Sequence, residues 1–286
     1  DDAFMVKTAQ KMYHEISPET GEFIDFMIDH ELMDLQNKPG KASTGYMTSL
    51  PSLKAPFVFS CFNHTIFDMQ VLTHELGHAF AGYMAMRSQP ISDYYSESTD
   101  IAEIHSMSME QFAYPYAEWF FGDQADKFRF AHLQEALTFV PFGVAVDEFQ
   151  HICYAHPELT PKERTYQWHL LEEKYMPWRR YENDEFLERG GYWYHKLHIY
   201  LYPFYYINYT LTTMGAMEFK KKYAEDKAAA WRDYLNLCKT GGSRSYLETL
   251  RYANLSNPFE AGSVARACGY AEDILLKQIA EQAQNV

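Results

Sequence analysis

His74-Glu75-Leu76-Gly77-His78 is the stretch that indicates most about how this chain of 286 residues folds. It lies within residues 66–83, where apolar side chains recur every three or four positions, a spacing that predicts an amphipathic helix. Residues four apart share one helix face, so both imidazoles can reach the same metal ion. The Glu75 carboxylate can then take a proton from a water that the metal activates. The pattern therefore predicts a helix that carries part of a metal hydrolase site.

Residues around the motif add predictions about the helix itself. Gly77 costs about 1 kcal/mol relative to Ala inside a helix, which predicts that a neighbouring element packs too close for a side chain. Thr65 and Asp68 predict a capping box at the helix start, and Pro90 predicts its end. An ordinary helix that happens to carry two histidines and a glutamate remains the alternative at this point.

A third metal ligand must come from elsewhere, because catalytic zinc usually takes three protein ligands and a water. Residues 98–112 predict a second helix that carries Glu103 and Glu110. The two glutamates are seven positions apart, so they lie on nearly the same face, and one can bind metal while the other orients a histidine ligand. His105 is the competing imidazole. Two solvent-exposed glutamates are the alternative reading of this helix.

These motifs resemble the M3 metallopeptidases, the family of thimet oligopeptidase and oligoendopeptidase F. The run from Ala102 to Glu110 is most similar to the oligoendopeptidase F branch. The resemblance implies that the third ligand is the glutamate 25 positions after the second histidine and that a further acidic residue follows seven positions later. It thus implies one zinc ion per chain, with Glu75 as the general base, Glu110 as the further acidic residue, and three ligands: His74, His78 and Glu103.

The resemblance also implies a mainly α fold, a zincin-like helical catalytic domain with a short β-hairpin or edge strand beside the active-site cleft. Residues 40–46 and 56–63 resemble that hairpin, and the β-branched and aromatic residues of the second run predict a strand by themselves. An edge strand can pair with a peptide backbone, whereas a purely structural hairpin is the alternative. Helical periodicity predicts further helices, among them residues 4–16, 22–35, 126–139 and 144–154, the last two separated at Pro141.

Residues 192–209 form the most aromatic stretch of the chain. They resemble the histidine and tyrosine segment of the family, which implies that His198 and a tyrosine stabilise the negative charge on the carbonyl oxygen of the substrate. Tyr209 is the first candidate for that tyrosine and Tyr205 the second. Phenol and imidazole groups can donate hydrogen bonds to such an oxyanion. An aromatic helix packed in the core is the alternative.

Composition limits the partners and the compartment. A net charge of −14 argues against a surface that binds nucleic acid. No apolar run is long enough to span a membrane, and no signal segment opens the chain. The cysteines are scattered and do not suggest a disulfide framework, which predicts a cytoplasmic protein. They are Cys61, Cys153, Cys238 and Cys268.

The domain prediction is a single catalytic domain over residues 1–286, equivalent to the C-terminal half of the family, with the N-terminal helical half absent. The resemblance implies a zinc-dependent endopeptidase that hydrolyses internal bonds of short peptides, with those peptides and a complementary N-terminal half as partners. Two alternatives stay open. One is a zinc carboxypeptidase that acts on peptide ends, and the other is a non-catalytic helical fragment that binds peptides.

Overall fold

Helices form most of the chain in the computed structural model, which describes residues 2–42 and 44–284. The prediction of a mainly α fold with a small sheet is confirmed. The helices are Asp2–Ile16 (α1), Pro18–Asp29 (α2), Phe67–Ser88 (α3), Thr99–Phe112 (α4), Ala117–Phe121 (α5), Ala125–Ala155 (α6), Pro161–Tyr175 (α7), Glu185–Glu188 (α8), Leu197–Leu201 (α9), Ile207–Glu225 (α10), Lys227–Thr240 (α11), Tyr246–Tyr252 (α12) and Ser263–Gln284 (α13).

The predicted helix over residues 22–35 is too long at its C-terminal end. Helix α2 ends at Asp29, and Glu31 takes a left-handed backbone conformation with φ of 53°. The chain then extends into strand β1, Met33–Asp34, which pairs in parallel with Val58 and Phe59. Pairing with a strand more than twenty residues away has no signature in the local apolar periodicity, which explains the error.

The sheet has the order β1-β3-β2, with β2 at Tyr46–Leu50 and β3 at Ala55–Phe59. Strands β2 and β3 form the antiparallel hairpin, in register from Tyr46 opposite Phe59 to Leu50 opposite Ala55. The predicted positions were therefore wrong in part, because the first strand begins at Tyr46 and the second ends before Ser60. Ser43, within the predicted hairpin, lies outside the described residues. Among those described, β2 has a strand neighbour on one side only.

Helix α3 carries the histidine motif and is buried on more sides than an amphipathic surface helix would be. It packs against α4, α11 and both strands of the hairpin. Its start also differs from the prediction, because no capping box forms. The Asp68 carboxylate instead accepts the backbone N–H groups of Asn63 and His64, at 3.1 and 2.8 Å. Thus Asp68 fixes the loop that leads into the helix.

Gly77 marks the point where α4 crosses α3. A Cβ atom built at Gly77 would lie 2.6 Å from the Ser106 Cα atom and 3.0 Å from the His105 carbonyl oxygen. The prediction that a neighbour packs too close for a side chain is confirmed. Helix α4 lies between α3 and α10, so this close crossing holds Glu103 against the two histidines of α3.

Helix α6 corrects a further prediction, since the segments on either side of Pro141 form one continuous helix. Proline removes one backbone hydrogen bond and clashes with the preceding turn, so a break was expected. However, α6 packs into a hydrophobic cluster with α7 through Phe142, Val146 and Phe149. This packing stabilises the helix on the C-terminal side of Pro141. Tertiary contacts here outweigh the local cost of proline.

Candidate metal centre

Helices α3 and α4 bring three donor atoms together at the start of a cleft. Glu103 Oε2 lies 3.2 Å from His74 Nε2 and 3.3 Å from His78 Nε2. One ligand atom from each of the three residues lies within 4.8 Å of the other two. Ligands that surround a tetrahedral zinc ion at about 2.1 Å are roughly 3.4 Å apart. The two printed contacts match that spacing, so these residues fit a single zinc ion.

The electrostatics of the three residues suit a divalent cation. Burial favours the neutral acid, yet hydrogen bonds from His74 and His78 hold the pKa of Glu103 far below its usual range. The carboxylate is therefore ionised near neutral pH. Its side chain is 12% exposed, which leaves an opening on the cleft while protein surrounds the rest. A mostly buried anion beside two imidazoles is stabilised when a cation joins it.

Glu75 lies beside His74, His78 and Glu103, the candidate metal-binding set, and has an incomplete set of partners. Its side chain is buried, and its Oε2 atom has no hydrogen-bond partner among the described residues. A Cβ atom at Gly45 would lie 2.7 Å from Glu75 Oε1, so the absence of a side chain at Gly45 makes room for this carboxylate. Burial raises the pKa of Glu75. An unpartnered buried acceptor beside a metal-binding set is suited to hold a water molecule.

Glu110 orients the first histidine, as the sequence predicted for the second acidic residue. Its Oε1 atom lies 2.6 Å from His74 Nδ1, which leaves Nε2 of that ring free to face a metal. The competing imidazole, His105, faces elsewhere and lies 3.1 Å from Glu97. The structure thus brings Glu103 and Glu110 to different sides of His74 and separates His105 from the metal-binding set.

The cleft beside the metal-binding set has a volume of about 430 Å³. Strand β2 supplies part of its wall through Tyr46, Met47 and Ser49, and the loop before α4 supplies Tyr95 to Glu97. None of the lining residues that the structure describes is a lysine or an arginine. The free edge of β2 therefore lies beside a cleft whose charged groups are carboxylates and imidazoles.

Of the three predicted residues in the aromatic segment, the structure places only Tyr209 in the lining of this cleft. Burial is the main cause that raises the pKa of Tyr209, and Tyr205 and Glu103 add to it. Tyr209 therefore keeps its phenol proton. The rings of His198 and Tyr205 pack against that of Tyr209, with centroids 5.9 and 5.5 Å away. Burial lowers the pKa of His198, so its imidazole is neutral near pH 7.

The family comparison agrees with this geometry. The model of peptidase family M3 matches residues 7–268, most of the chain. The chain belongs to peptidase family M3. This family is generally one of metallopeptidases. The oligoendopeptidase F resemblance found in the sequence is therefore confirmed.

M3 relatives of this chain are longer than the chain itself. The oligoendopeptidase F homologue of Borreliella burgdorferi is 25% identical over 236 residues, which cover 78% of this chain and 38% of the relative. A solved structure named oligoendopeptidase F is 51% identical with a TM-score of 0.89, over 96% of this chain and 48% of the other. A structure of PZ peptidase A with an inhibitor is 49% identical with the same TM-score, over 97% and 49%. The chain thus spans about half the length of these relatives, or less.

Sequence reasoning missed several residues of the centre. His132 and Tyr114 extend the hydrogen bonds behind Glu110, and Glu97 lines the cleft while it binds His105. His132 comes from α6, a helix with no motif spacing relative to α3, so no local pattern could have revealed it. Among the described residues, no helix is long and apolar enough to cross a membrane. The four cysteines are free thiols.

Proposed function

We propose that this chain is the catalytic half of a zinc-dependent endopeptidase that hydrolyses internal bonds of short peptides. The observation that carries the proposal is the convergence of His74, His78 and Glu103 beside Glu75, whose buried Oε2 atom has no partner. Three ligands and an adjacent free carboxylate are the set that a catalytic zinc site requires. A structural zinc site would instead close the fourth position with another protein ligand.

Each of these residues has a proposed role. His74, His78 and Glu103 would hold zinc, which when bound lowers the pKa of a water and polarises the peptide carbonyl. Glu75 accepts the proton of the attacking water and donates it to the leaving amine. The raised pKa of Glu75 supports this role, because a base works best when its pKa approaches the working pH. Cobalt and manganese also accept such ligands, so zinc itself is part of the proposal.

Tyr209 is the proposed donor to the oxygen that gains negative charge. It lines the cleft with the metal-binding set and keeps its proton, and a phenol in that state can donate to an oxyanion. The rings of His198 and Tyr205 pack against Tyr209, and these residues are proposed to orient it or to reach the substrate beyond the cleft. The prediction that His198 acts directly on the substrate stays a prediction.

The lining of the cleft favours an endopeptidase over the carboxypeptidase alternative. A carboxypeptidase needs a cationic group for the free carboxylate of its substrate, and arginine is the residue that binds carboxylates with two hydrogen bonds. The described lining contains no lysine or arginine. The free edge of β2 instead offers backbone groups, which bind an extended peptide without selecting its ends. An internal stretch of peptide therefore fits the cleft better than a terminus.

An internally quenched peptide with both ends blocked tests the proposal. The full chain should cleave it, lose the activity to a chelator and regain it with zinc. A series of free-ended dipeptides, run in parallel, should stay uncut. Cleavage of the free-ended series alone would favour the carboxypeptidase. Binding of the blocked peptide without cleavage in the presence of zinc would favour the non-catalytic fragment and refute the proposal.

Three further predictions from the sequence stay predictions. They are that residues 1–286 form one catalytic domain, that a complementary N-terminal half is a partner, and that the protein is cytoplasmic. A separately expressed N-terminal half from a long relative tests the second prediction. If that half is a partner, its addition should change which peptide lengths are cleaved, because it would narrow the access to the cleft.

A further inference from the structure

A chain of hydrogen bonds leads from the metal-binding set into the core behind it. Glu110 Oε1 lies 2.6 Å from His74 Nδ1, and Glu110 Oε2 lies 2.5 Å from His132 Nε2. The other nitrogen of that ring, His132 Nδ1, lies 2.6 Å from the hydroxyl of Tyr114. Both oxygens of Glu110 are thus occupied, one by the ligand His74 and one by a residue that does not contact the metal-binding set.

All three members of this chain behind His74 are buried. Glu110, His132 and Tyr114 are 7%, 6% and 8% exposed. Phe128 stacks on the His132 ring, with centroids 5.6 Å apart and planes 7° from parallel. On the far side, the Arg129 guanidinium donates to the Tyr114 carbonyl oxygen at 2.8 Å. Burial and the bonds of both ring nitrogens therefore leave His132 little freedom to exchange Glu110 for water.

The hydrogen-bond roles beside the metal-binding set follow from the carboxylate of Glu110. An ionised Glu110 only accepts, so His74 Nδ1 and His132 Nε2 both donate to it. The other ring nitrogen, His132 Nδ1, contacts the Tyr114 hydroxyl. Burial keeps the proton on Tyr114 by raising its pKa, and hydrogen bonds from His132 and His74 outweigh burial to keep Glu110 ionised. Both oxygens of Glu110 and both ring nitrogens of His132 therefore have a partner.

We infer that His132 is a positioning residue for the metal site, because it holds the carboxylate of Glu110 in the plane where it accepts the Nδ1 proton of His74. This inference rests on the proposed metal-binding role of His74. A carboxylate with one anchored oxygen keeps a single orientation, whereas one that is free on that side can rotate away. Without His132, a buried charge would also lose one of its two partners. Both effects would lower the affinity of the site for the metal, because His74 would be held less firmly.

Three variants of His132 separate its hydrogen bond from its volume. His132→Leu fills the space but donates nothing. His132→Gln keeps an amide N–H near the position of Nε2 and should still reach Glu110. His132→Asn carries the same amide on a shorter side chain that falls short of Glu110. It replaces the leucine variant if that variant does not fold. Phe128→Leu is the matched packing control, because it removes the ring stacked on His132 and leaves the hydrogen bonds intact.

The readout is the zinc dissociation constant of the full chain, measured by competition with a chromogenic chelator. Loss of a partner behind a metal ligand typically weakens binding about 10- to 100-fold, and we expect this for His132→Leu or His132→Asn. His132→Gln should remain within about threefold of the wild type, since the donor is restored. Phe128→Leu should lower the thermal midpoint of the metal-free protein while it leaves zinc affinity unchanged.

Two results would overturn the inference. One is wild-type affinity in both His132→Leu and His132→Asn, and the other is a loss in Phe128→Leu as large as theirs. A wild-type chain that binds no zinc at all would instead refute the proposed function. The measurement therefore distinguishes the failure of the positioning role from the failure of the metal site.

Discussion

The two regions that meet at the cleft are built in different ways. The helical region, which carries the candidate metal ligands, comes from α3 and α4, two long helices that cross closely at Gly77 and bury most of their side chains. The aromatic region comes from the five-residue helix α9, the turns beside it and the first turn of α10. Several of its large side chains are exposed, namely Leu197, Tyr200, Leu201 and Tyr202.

This difference indicates which groups need fixed positions. Metal ligands must be placed to within a fraction of an ångström, and packed helices hold side chains more precisely than turns do. Short helices with exposed side chains open locally at low free-energy cost, which suits residues that close on a substrate. We therefore expect substitutions in the helical region to affect chemistry, metal binding or stability, and those in the aromatic region to affect substrate handling.

The largest effect should come from Glu75→Gln. The amide keeps the shape of the side chain but cannot accept the proton of water, so turnover should fall by about 10²–10⁴-fold. Zinc content should stay at one ion per chain, because Glu75 is not a ligand. Turnover of the quenched peptide and metal analysis of the same sample check both statements. A variant that cuts as fast as the wild type would refute the role of Glu75 as the base.

Tyr209→Phe should cause the second-largest loss of turnover. Removal of one oxyanion donor typically lowers turnover by about 10²–10³-fold, and the loss should appear in kcat because the bond strengthens in the transition state. Tyr205→Phe should lose less, since Tyr205 does not line the cleft. Tyr200→Phe, at an exposed position in the same segment, is the control and should keep full activity. If Tyr205→Phe lowers kcat more than Tyr209→Phe does, Tyr205 rather than Tyr209 is the donor to the oxyanion.

Gly77→Ala tests the close crossing of the helices. The added methyl group meets the Ser106 backbone, which cannot turn aside as a side chain can. We expect a loss of about 1–3 kcal/mol in the free energy of unfolding, larger than the gain of about 1 kcal/mol from helix propensity. Gly82→Ala is the matched control on the same helix, because its methyl group would meet the flexible end of Met47 at 3.3 Å and the Ser49 hydroxyl at an ordinary contact distance of 3.7 Å, with no backbone atom among these nearest neighbours. Equal thermal midpoints for the two variants would contradict the packing argument.

Lys220 should have an effect on stability that depends on pH. Its Nζ atom lies 3.5 Å from the centre of the Tyr114 ring, and burial lowers its pKa to about 7. An unfolded lysine titrates near 10.4, so between pH 7 and 10 the unfolded chain holds more protons on this group. Stability should therefore rise with pH over this window, by at most about 1.4 kcal/mol per unit for one group.

Lys220→Met removes this titration and isolates it from the other groups that titrate in the same range. The difference in unfolding free energy between variant and wild type should shift in favour of the wild type as pH rises from 7 to 10. Denaturant unfolding at several pH values measures that difference. A difference that does not change with pH would show that the amine is solvated rather than buried against Tyr114.

Much of the helical region could be predicted from the sequence. The histidine spacing, the cost of Gly77 and the acidic pair of α4 are local patterns. The resemblance to family M3 then implied that Glu103, 25 positions after His78, is the third ligand. The close crossing of α3 and α4 at Gly77 was predictable because glycine inside a helix needs a reason.

Features that depend on distant parts of the chain could not be predicted in this way. The end of α2 at Asp29 depends on pairing with β3, and α6 continues through Pro141 because its aromatic side chains find partners in α7. The bond between Glu110 and His132 joins residues 22 positions apart on different helices with no motif between them. Contacts of this kind exist only once the helices have packed.

Zinc location in crystals grown with the ion tests the central claim most directly. Diffraction data collected at the zinc absorption edge should show a single strong anomalous peak per chain. We predict that this peak lies about 2.0–2.2 Å from Nε2 of His74, Nε2 of His78 and a carboxylate oxygen of Glu103. A peak that lies away from Glu103, or that is held by other residues, would contradict the account.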